Sequence, residues 1–499
     1  MTAYPSPTRV AALVVAAILL LHLVPLERRG FVGPDEPRYA SIAREMAESG
    51  DWVTPRLWGE PWFEKPPMLF WLGGLGHLAG ADSLTRLPVA LLCLAFLAFF
   101  HWRVRRSFGR ETAIVAACLL ATAAGWVACA DAGIVDAPLT VFVSAALLCL
   151  LDWPKADGAT SAAERAAFGG LLGMAALSKG LVGPMVAALA VLPTLVGQPR
   201  RLRELAGPLP LGAFCATCLP WYAACYLANG DGFVREFLVR HHFERFVSSS
   251  LQHVQPWWFY APVLALFMLP WTPLLGSLRW HTIAGGPRRR FLACWALGPL
   301  VFFSLSVNKL PAYVLPVLPP LAVLLALRWK ERPSRPLLAA SAGVLLLLPL
   351  AGALLPDALA DGVGRAWGRL DSGTLAGSAA LGALFAALGA WSCARLPASI
   401  AAPATAATVA LALGVLKHQA YPAISAQAGA REFVRAERGR LQDACIGDVR
   451  RHYSYGIRFY TRDQVPECQR EPAELRVEGD PPRISRVQVP EGVGRPPAL

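Results

Sequence analysis

Residues 9–67 read RVAALVVAAILLLHLVPLERRGFVGPDEPRYASIAREMAESGDWVTPRLWGEPWFEKPP. The stretch opens with an apolar run, Val10–Leu26, long enough to cross most of a bilayer's hydrocarbon. It continues into a loop that holds Asp35, Glu36, Arg38, Glu64 and Lys65 among tryptophans and prolines. Ionisable groups crowded at the edge of a bilayer cost free energy, so they usually mark a site. The run has a basic flank at Arg9 but ends in LERRG, without a small-residue cleavage pattern. It reads as a retained first helix rather than a removed signal.

The rest of the chain repeats the apolar theme. Of 499 residues, 55% are hydrophobic and 16% charged, against about 25% charged in soluble proteins. Spans are expected near 9–26, 83–100, 113–130, 134–152, 166–178, 182–197, 207–227, 257–278, 291–306, 310–327, 336–355, 374–393 and 401–416. That makes about thirteen crossings. Alternate loops such as HWRVRRSFGRE, QPRRLRE and RWKERPSRP are basic, as cytoplasmic loops are. This placement accounts for the net charge of +13 and excludes the single basic face of a nucleic-acid binder.

The expected fold class is therefore mainly α: a polytopic membrane bundle, residues 1–416, with a small α/β extracytoplasmic domain at 417–499. Loops 27–82 and 228–256 fall on the outer side with interfacial helices; Tyr39–Ser49 is amphipathic in the helical period. In the tail, Ala426–Arg438 has a helical pattern, and Ala444–Val449 and Ile457–Val465 read as strands or a strand and a helix. The segments EGDPPRIS and EGVGRPPAL are expected to be disordered. Cys445 and Cys468 lie in this tail and would pair in an oxidising compartment. The other nine of the eleven cysteines sit in or beside apolar runs and read as packing residues.

The chain has about 41 Arg but six Lys, and a lysine binds phosphate as a point charge. Lys65, Lys179 and Lys309 all map to the outer side, each beside Pro or Gly, where orientation rules do not call for cations. Each alone could snorkel to water. All three together point to an anionic ligand. Asp35 and Glu36 lie between Pro34 and Pro37, which are expected to hold them in a turn. They read as a carboxylate base or metal ligand, or as a cap for the following helix. Glu64 beside Lys65 is either a fixed pair or an exposed ion pair of little weight. Asp131 and Asp136 frame a tight outer turn, and Asp136 is either a site carboxylate or a helix cap. His241 and His242 are neighbours in VRHHFERF and point to different sides of a helix. Lys309 and Tyr313 are four apart, one helical face interrupted by Pro311, where a cation and a phenol could clamp a phosphate.

Together, PDEPRYASIAREMAESGDWVTPRLWGEPWFEKPP, VDAPL, SKG, HHFERF and KLPAYVLP resemble the bacterial lipid-A aminoarabinose transferases. Those belong, with protein O-mannosyltransferases, to the C-type glycosyltransferase superfamily. The resemblance runs from about residue 9 to 330. It implies an inner-membrane enzyme, with its site and C-terminal domain periplasmic, that moves a sugar from undecaprenyl phosphate to lipid A or another envelope acceptor. The sugar implied is 4-amino-4-deoxy-L-arabinose. By resemblance Asp35 is the catalytic carboxylate, joined in the acidic set by Glu36 and Asp136. Arg38, Lys65 and Tyr313 contact the donor phosphate, with Lys179, Arg245 and Lys309 as further cations. Glu64 and His242 are implied ligands of a divalent metal (Zn, Mg or Mn). The competing expectations are protein O-mannosylation and, in another class, a lipid or solute transporter. A transporter would place its charges near the midplane at broken helices.

Overall fold

The computed structural model describes residues 7–24, 26–80, 82–153, 160–196, 198–237, 254–368 and 372–487. The chain is mainly helical, and helix occupies all thirteen of the apolar segments. Among the described residues, five helices have the length and hydropathy of a complete crossing: Leu84–Phe108, Arg200–Asn229, Pro311–Glu331, Arg335–Asp361 and Ala398–Ala428. A sixth is the pair Arg110–Ala121 and Ala124–Asp131, bent by 60°. Shorter apolar helices include Val10–Leu23, Asp136–Cys149 and Val182–Thr194. The segment expected at 257–278 is broken into Tyr260–Phe267 and Thr272–Leu275, because Pro270 and Pro273 interrupt its hydrogen-bond ladder. The segment expected at 166–178 starts earlier, at Ala162, on a capping box in which Ser161 and Glu164 satisfy each other's backbone N–H. Large apolar side chains such as Leu227, Leu305 and Val196 stand exposed, as lipid-facing residues do.

The bundle has two chemically distinct ends. At one, the basic loops meet: Arg103 donates to Glu164 at 3.0 Å and to the Leu148 carbonyl at 3.0 Å. Arg288 pairs with Asp152 and donates to the Ser107 carbonyl at 2.9 Å, while Arg289 pairs with Glu331. The other end carries loop 27–82 and the C-terminal domain.

In that loop the structure departs from the expected turn. Asp35 is the first residue of helix Asp35–Ser49, and Glu36 and Pro37 lie in its first turn. Proline is tolerated there because a first-turn N–H has no partner in the helix, and two acids suit the positive end of the helix dipole. Gly50 ends the helix in the left-handed conformation, φ 74°. Its face is not laid open on a bilayer surface. Tyr39, Ile42, Ala43 and Met46 pack with Leu69 and Phe70 of helix Met68–Leu78. Its opposite side is covered by the C-terminal domain, where Arg44 donates to the Phe459 carbonyl at 2.9 Å and lies 4.5 Å from the Phe459 ring centre.

The last of the long apolar helices, Ala398–Ala428, runs through the boundary expected at 416/417. Lys417 and Tyr421 on that continuation hold Asp131, each at 2.6 Å, so the buried Asp131 ties the end of helix Ala124–Asp131 to the side of this long helix. Beyond it lies a three-stranded sheet in the order first–second–third. Strand Ala444–Val449 pairs parallel with Leu475–Gly479, which pairs antiparallel with Arg483–Arg486. EGDPPRIS is thus the turn and flanks of a hairpin rather than a disordered tail, since the apolar residues Val477 and Ile484 alternate into the small core of this domain. Arg451–Tyr460 is a helix, and Cys445 and Cys468 form a disulfide.

Candidate active site

The acidic loop is pinned before it presents anything. Residues Arg56–Leu57 and Glu60–Pro61 pair as a short hairpin, with Trp58 and Gly59 both at positive φ, 57° and 82°. A tryptophan rarely adopts this conformation. Glu45 holds it by accepting from the Trp58 N–H at 2.6 Å and the Gly59 N–H at 3.0 Å. Arg458 of the C-terminal domain covers the Trp58 ring at 3.3 Å. Trp221 donates to the Val53 carbonyl at 3.0 Å and Asn229 to Thr54 at 2.9 Å, which fastens the loop to helix Pro208–Asn229.

On this frame Arg38 is the hub. It donates to Asp35 at 2.6 Å and lies 3.7 Å from Glu64. Its guanidinium stands over the rings of Trp62 at 5.1 Å, Tyr39 at 5.2 Å and Tyr455 at 5.7 Å. Burial alone would lower its pKa, but Tyr39, Asp35 and Glu64 outweigh that and raise it, so Arg38 is a fixed cation. Its Nε is buried without a hydrogen-bond partner. Asp35 is nearly half exposed at 46% and has one oxygen on Arg38. Lys65 is partly buried and donates to the Glu64 carbonyl at 3.1 Å.

Asp136, Lys179 and Tyr313 form a second group. Lys179, at the end of helix Ala162–Lys179, donates to Asp136 at 2.5 Å and sits 4.3 Å from the centre of the Tyr313 ring. The two groups share a wall. Phe63 and Met68, which bracket Glu64 and Lys65, pack in one apolar cluster with Ala176 and Leu177, just before Lys179.

Two expected site residues, Glu36 and Lys309, have other work, as does Asp131 of the outer turn. Glu36 is buried, with oxygens on Arg29, on Arg86 at 2.8 Å and on the Val32 N–H at 2.8 Å. Burial would raise its pKa, but Arg29 and Arg86 prevail and hold the carboxyl below its ordinary value. This is a structural clamp beside the site. Asp131 is likewise enclosed. Lys309 is buried and donates to the backbone carbonyls of Gln255, at 2.8 Å, and Ser306. It does not share a helical face with Tyr313, because Pro311–Val317 is a 3-10 helix with three residues per turn and Lys309 precedes it. Lys309 therefore pins two backbone segments where a phosphate contact was expected. His242 and Arg245 lie outside the described residues.

The likeness to known proteins follows the same pattern. A family model described as dolichyl-phosphate-mannose-protein mannosyltransferase matches residues 8–229. An undecaprenyl phosphate-alpha-4-amino-4-deoxy-L-arabinose arabinosyl transferase of Pseudomonas aeruginosa is 36% identical over 331 residues, 64% of this chain and 59% of that protein. Its counterpart in Pectobacterium carotovorum is 33% identical over 333 residues, 63% and 58% respectively. The chain thus spans under two thirds of the length of these relatives. In three dimensions it is similar to the crystal structure of ArnT from Cupriavidus metallidurans bound to undecaprenyl phosphate. The TM-score is 0.78, at 24% identity over 92% of this chain and 86% of that one. The apo state of the same protein gives 0.76 at 22% identity over 95% and 94%. The chain thus shares the fold of ArnT and is similar in sequence to these transferases over about two thirds of its length.

Within this fold the chain gathers at one end of the bundle the residues its motifs single out: Asp35, Arg38, Glu64 and Lys65 in one group, Asp136, Lys179 and Tyr313 in the other. Among the described residues, no three His, Cys, Asp or Glu side chains gather as a metal site. Glu64 lies 3.7 Å from Arg38, and its expected metal partner His242 lies outside the described residues. Tyr455 was not among the expected site residues. The aromatic face of RHYSYGIRFY is legible in sequence, but its contact with Arg38 bridges 417 positions.

Proposed function

We propose that this chain is an integral-membrane glycosyltransferase that takes a sugar from a polyprenyl-phosphate donor and passes it to an extracytoplasmic acceptor such as lipid A. The observation that carries the reading is a cationic and acidic cluster centred on Arg38, at the end of the bundle opposite the basic loops. The curated relatives bear the name of such a transferase, with 4-amino-4-deoxy-L-arabinose as the sugar. We place about thirteen crossings in the bacterial inner membrane. The basic loops are then cytoplasmic and the cluster and C-terminal domain periplasmic. The Cys445–Cys468 disulfide supports that side, since such bonds persist in oxidising compartments.

In the reaction the bond from the anomeric carbon to the donor phosphate oxygen breaks. A bond from that carbon to the acceptor oxygen forms, and polyprenyl phosphate leaves. Negative charge grows on the departing phosphate. Arg38 and Lys65 stabilise it from one side, Lys179 and the Tyr313 hydroxyl from the other. Asp35 keeps one oxygen on Arg38 and turns the other to an acceptor hydroxyl, whose proton it takes. Where the acceptor is itself a phosphate, no proton needs removal and Asp35 orients it. Lys65→Ala tests this directly. In purified protein it should abolish transfer from the polyprenyl donor while the thermal unfolding midpoint holds. Undiminished transfer would sink the phosphate role.

A further inference from the structure

A cleft of about 690 Å³ lies between the residues that follow the first helix and the C-terminal domain. Six arginines line it: Arg29, Arg86, Arg431, Arg435, Arg438 and Arg462. No lysine does, in keeping with the planar, bidentate donors that phosphate recognition favours. Four carboxylates stand against them. Glu36 serves Arg29 and Arg86, Glu432 serves Arg431 and Arg435, Glu48 meets Arg462 at 3.5 Å, and Glu27 lies on the wall. Two positive charges remain in excess after all four are counted. Arg438 is exposed and has no ion-pair partner among the described residues. Arg86 is 4% exposed, and its Nε is buried with no hydrogen-bond partner. Arginines gathered in this number repel one another, and a bound anion relieves that cost.

The position of the cleft narrows the ligand. Its wall begins at Leu26, three residues past the end of the first helix, so it opens at the level where a lipid headgroup sits. Its volume falls in the range of sites for whole small molecules rather than single ions. Arg29 and Arg86, on its inner wall, also clamp Glu36, the neighbour of Asp35. The wall of the cleft is thus tied, through Glu36, to the first turn of the helix that carries the candidate catalytic carboxylate. We infer that this arginine cleft binds the phosphate-bearing saccharide headgroup of the acceptor lipid, at a place separate from the donor-phosphate group of Lys65, Lys179 and Tyr313. The inference rests on the glycosyltransferase reading for the word acceptor, and on the cleft alone for the anion.

The test is binding to full-length protein in detergent, with the double variant Arg435→Glu/Arg438→Glu and the milder Arg438→Gln. The probes are bisphosphorylated lipid A, its dephosphorylated form, phosphatidylglycerol, undecaprenyl phosphate and inorganic phosphate. Lipid A affinity should fall about tenfold or more in the double variant, and severalfold in Arg438→Gln, as expected for lost charge-assisted contacts. Undecaprenyl phosphate affinity should stay unchanged. Dephosphorylated lipid A should bind the wild type as weakly as bisphosphorylated lipid A binds the double variant. Unchanged lipid A affinity in both variants, or an equal fall for both lipids, overturns the inference. So does inorganic phosphate or phosphatidylglycerol binding the wild type as tightly as lipid A. Failure of the wild type to bind undecaprenyl phosphate would instead strike the donor assignment. The cleft stands in that case if lipid A binding still depends on Arg435 and Arg438.

Discussion

Arg38 shows how a site residue is made from parts that are distant in sequence. Asp35 is three residues away and Glu64 is in the same loop, and both were recognisable from charge and flanking prolines. Tyr455 comes from the C-terminal domain, and nothing in local spacing announces it. Glu36 illustrates the converse. Beside Asp35 in sequence it looks equivalent, yet the next residue on a helix points about 100° away. It meets Arg86, fifty positions on, and Arg29. Because its pKa is depressed in the folded state, Glu36 contributes stability above the ordinary glutamate value, and that contribution is lost as pH falls through the lower folded value. Glu36→Gln should therefore lower the thermal midpoint at pH 7 and flatten its fall on acidification below about pH 4.5. A variant whose midpoint follows the wild type at every pH would show that the clamp contributes nothing.

At the scale of elements, patterning located the helices well and their covers poorly. The amphipathic period of Tyr39–Ser49 was plain, but a helix with one apolar face suits a bilayer surface and a protein partner equally. Its cover is the helix Arg451–Tyr460, which brings Phe459 against Arg44 and Phe31. The strand at Ala444–Val449 was legible because it is short, apolar and bounded by polar residues. The hairpin after it was hidden by its Asp-Pro-Pro turn, which reads compositionally as disorder. The disulfide fastens this first strand to the chain 23 residues later. For a loop of that size it should contribute about 3 kcal/mol, by the chain-entropy argument. Replacing both cysteines by serine should lower the unfolding midpoint of the C-terminal domain by several degrees. Treating the wild type with reductant should do the same. An unshifted midpoint in both would remove the bond from the energetics of the fold.

For the molecule as a whole, the two unlike ends carry the functional argument. Arg103, Glu164, Asp152, Arg288 and Glu331 come from helix ends and a turn far apart in sequence and meet at one end of the bundle. Loop 27–82, the Lys179 group and the C-terminal domain meet at the other. A transporter would centre its charges between the ends, on discontinuous helices. Cysteines introduced at Glu60 and at Arg200, which is 94% exposed, report the sidedness. The first should react with an impermeant thiol reagent in intact spheroplasts, and the second only after permeabilisation. Labelling of both from one side would invert or dissolve the topology. The most direct measurement is mass spectrometry of lipid A and envelope glycans from cells with and without the gene. It should be repeated after complementation with wild type or Asp35→Asn. Glycosyl transfer predicts a sugar-bearing species that disappears with the gene and returns with the wild type but not with Asp35→Asn. Envelope glycolipids and glycans identical in all four strains would contradict it.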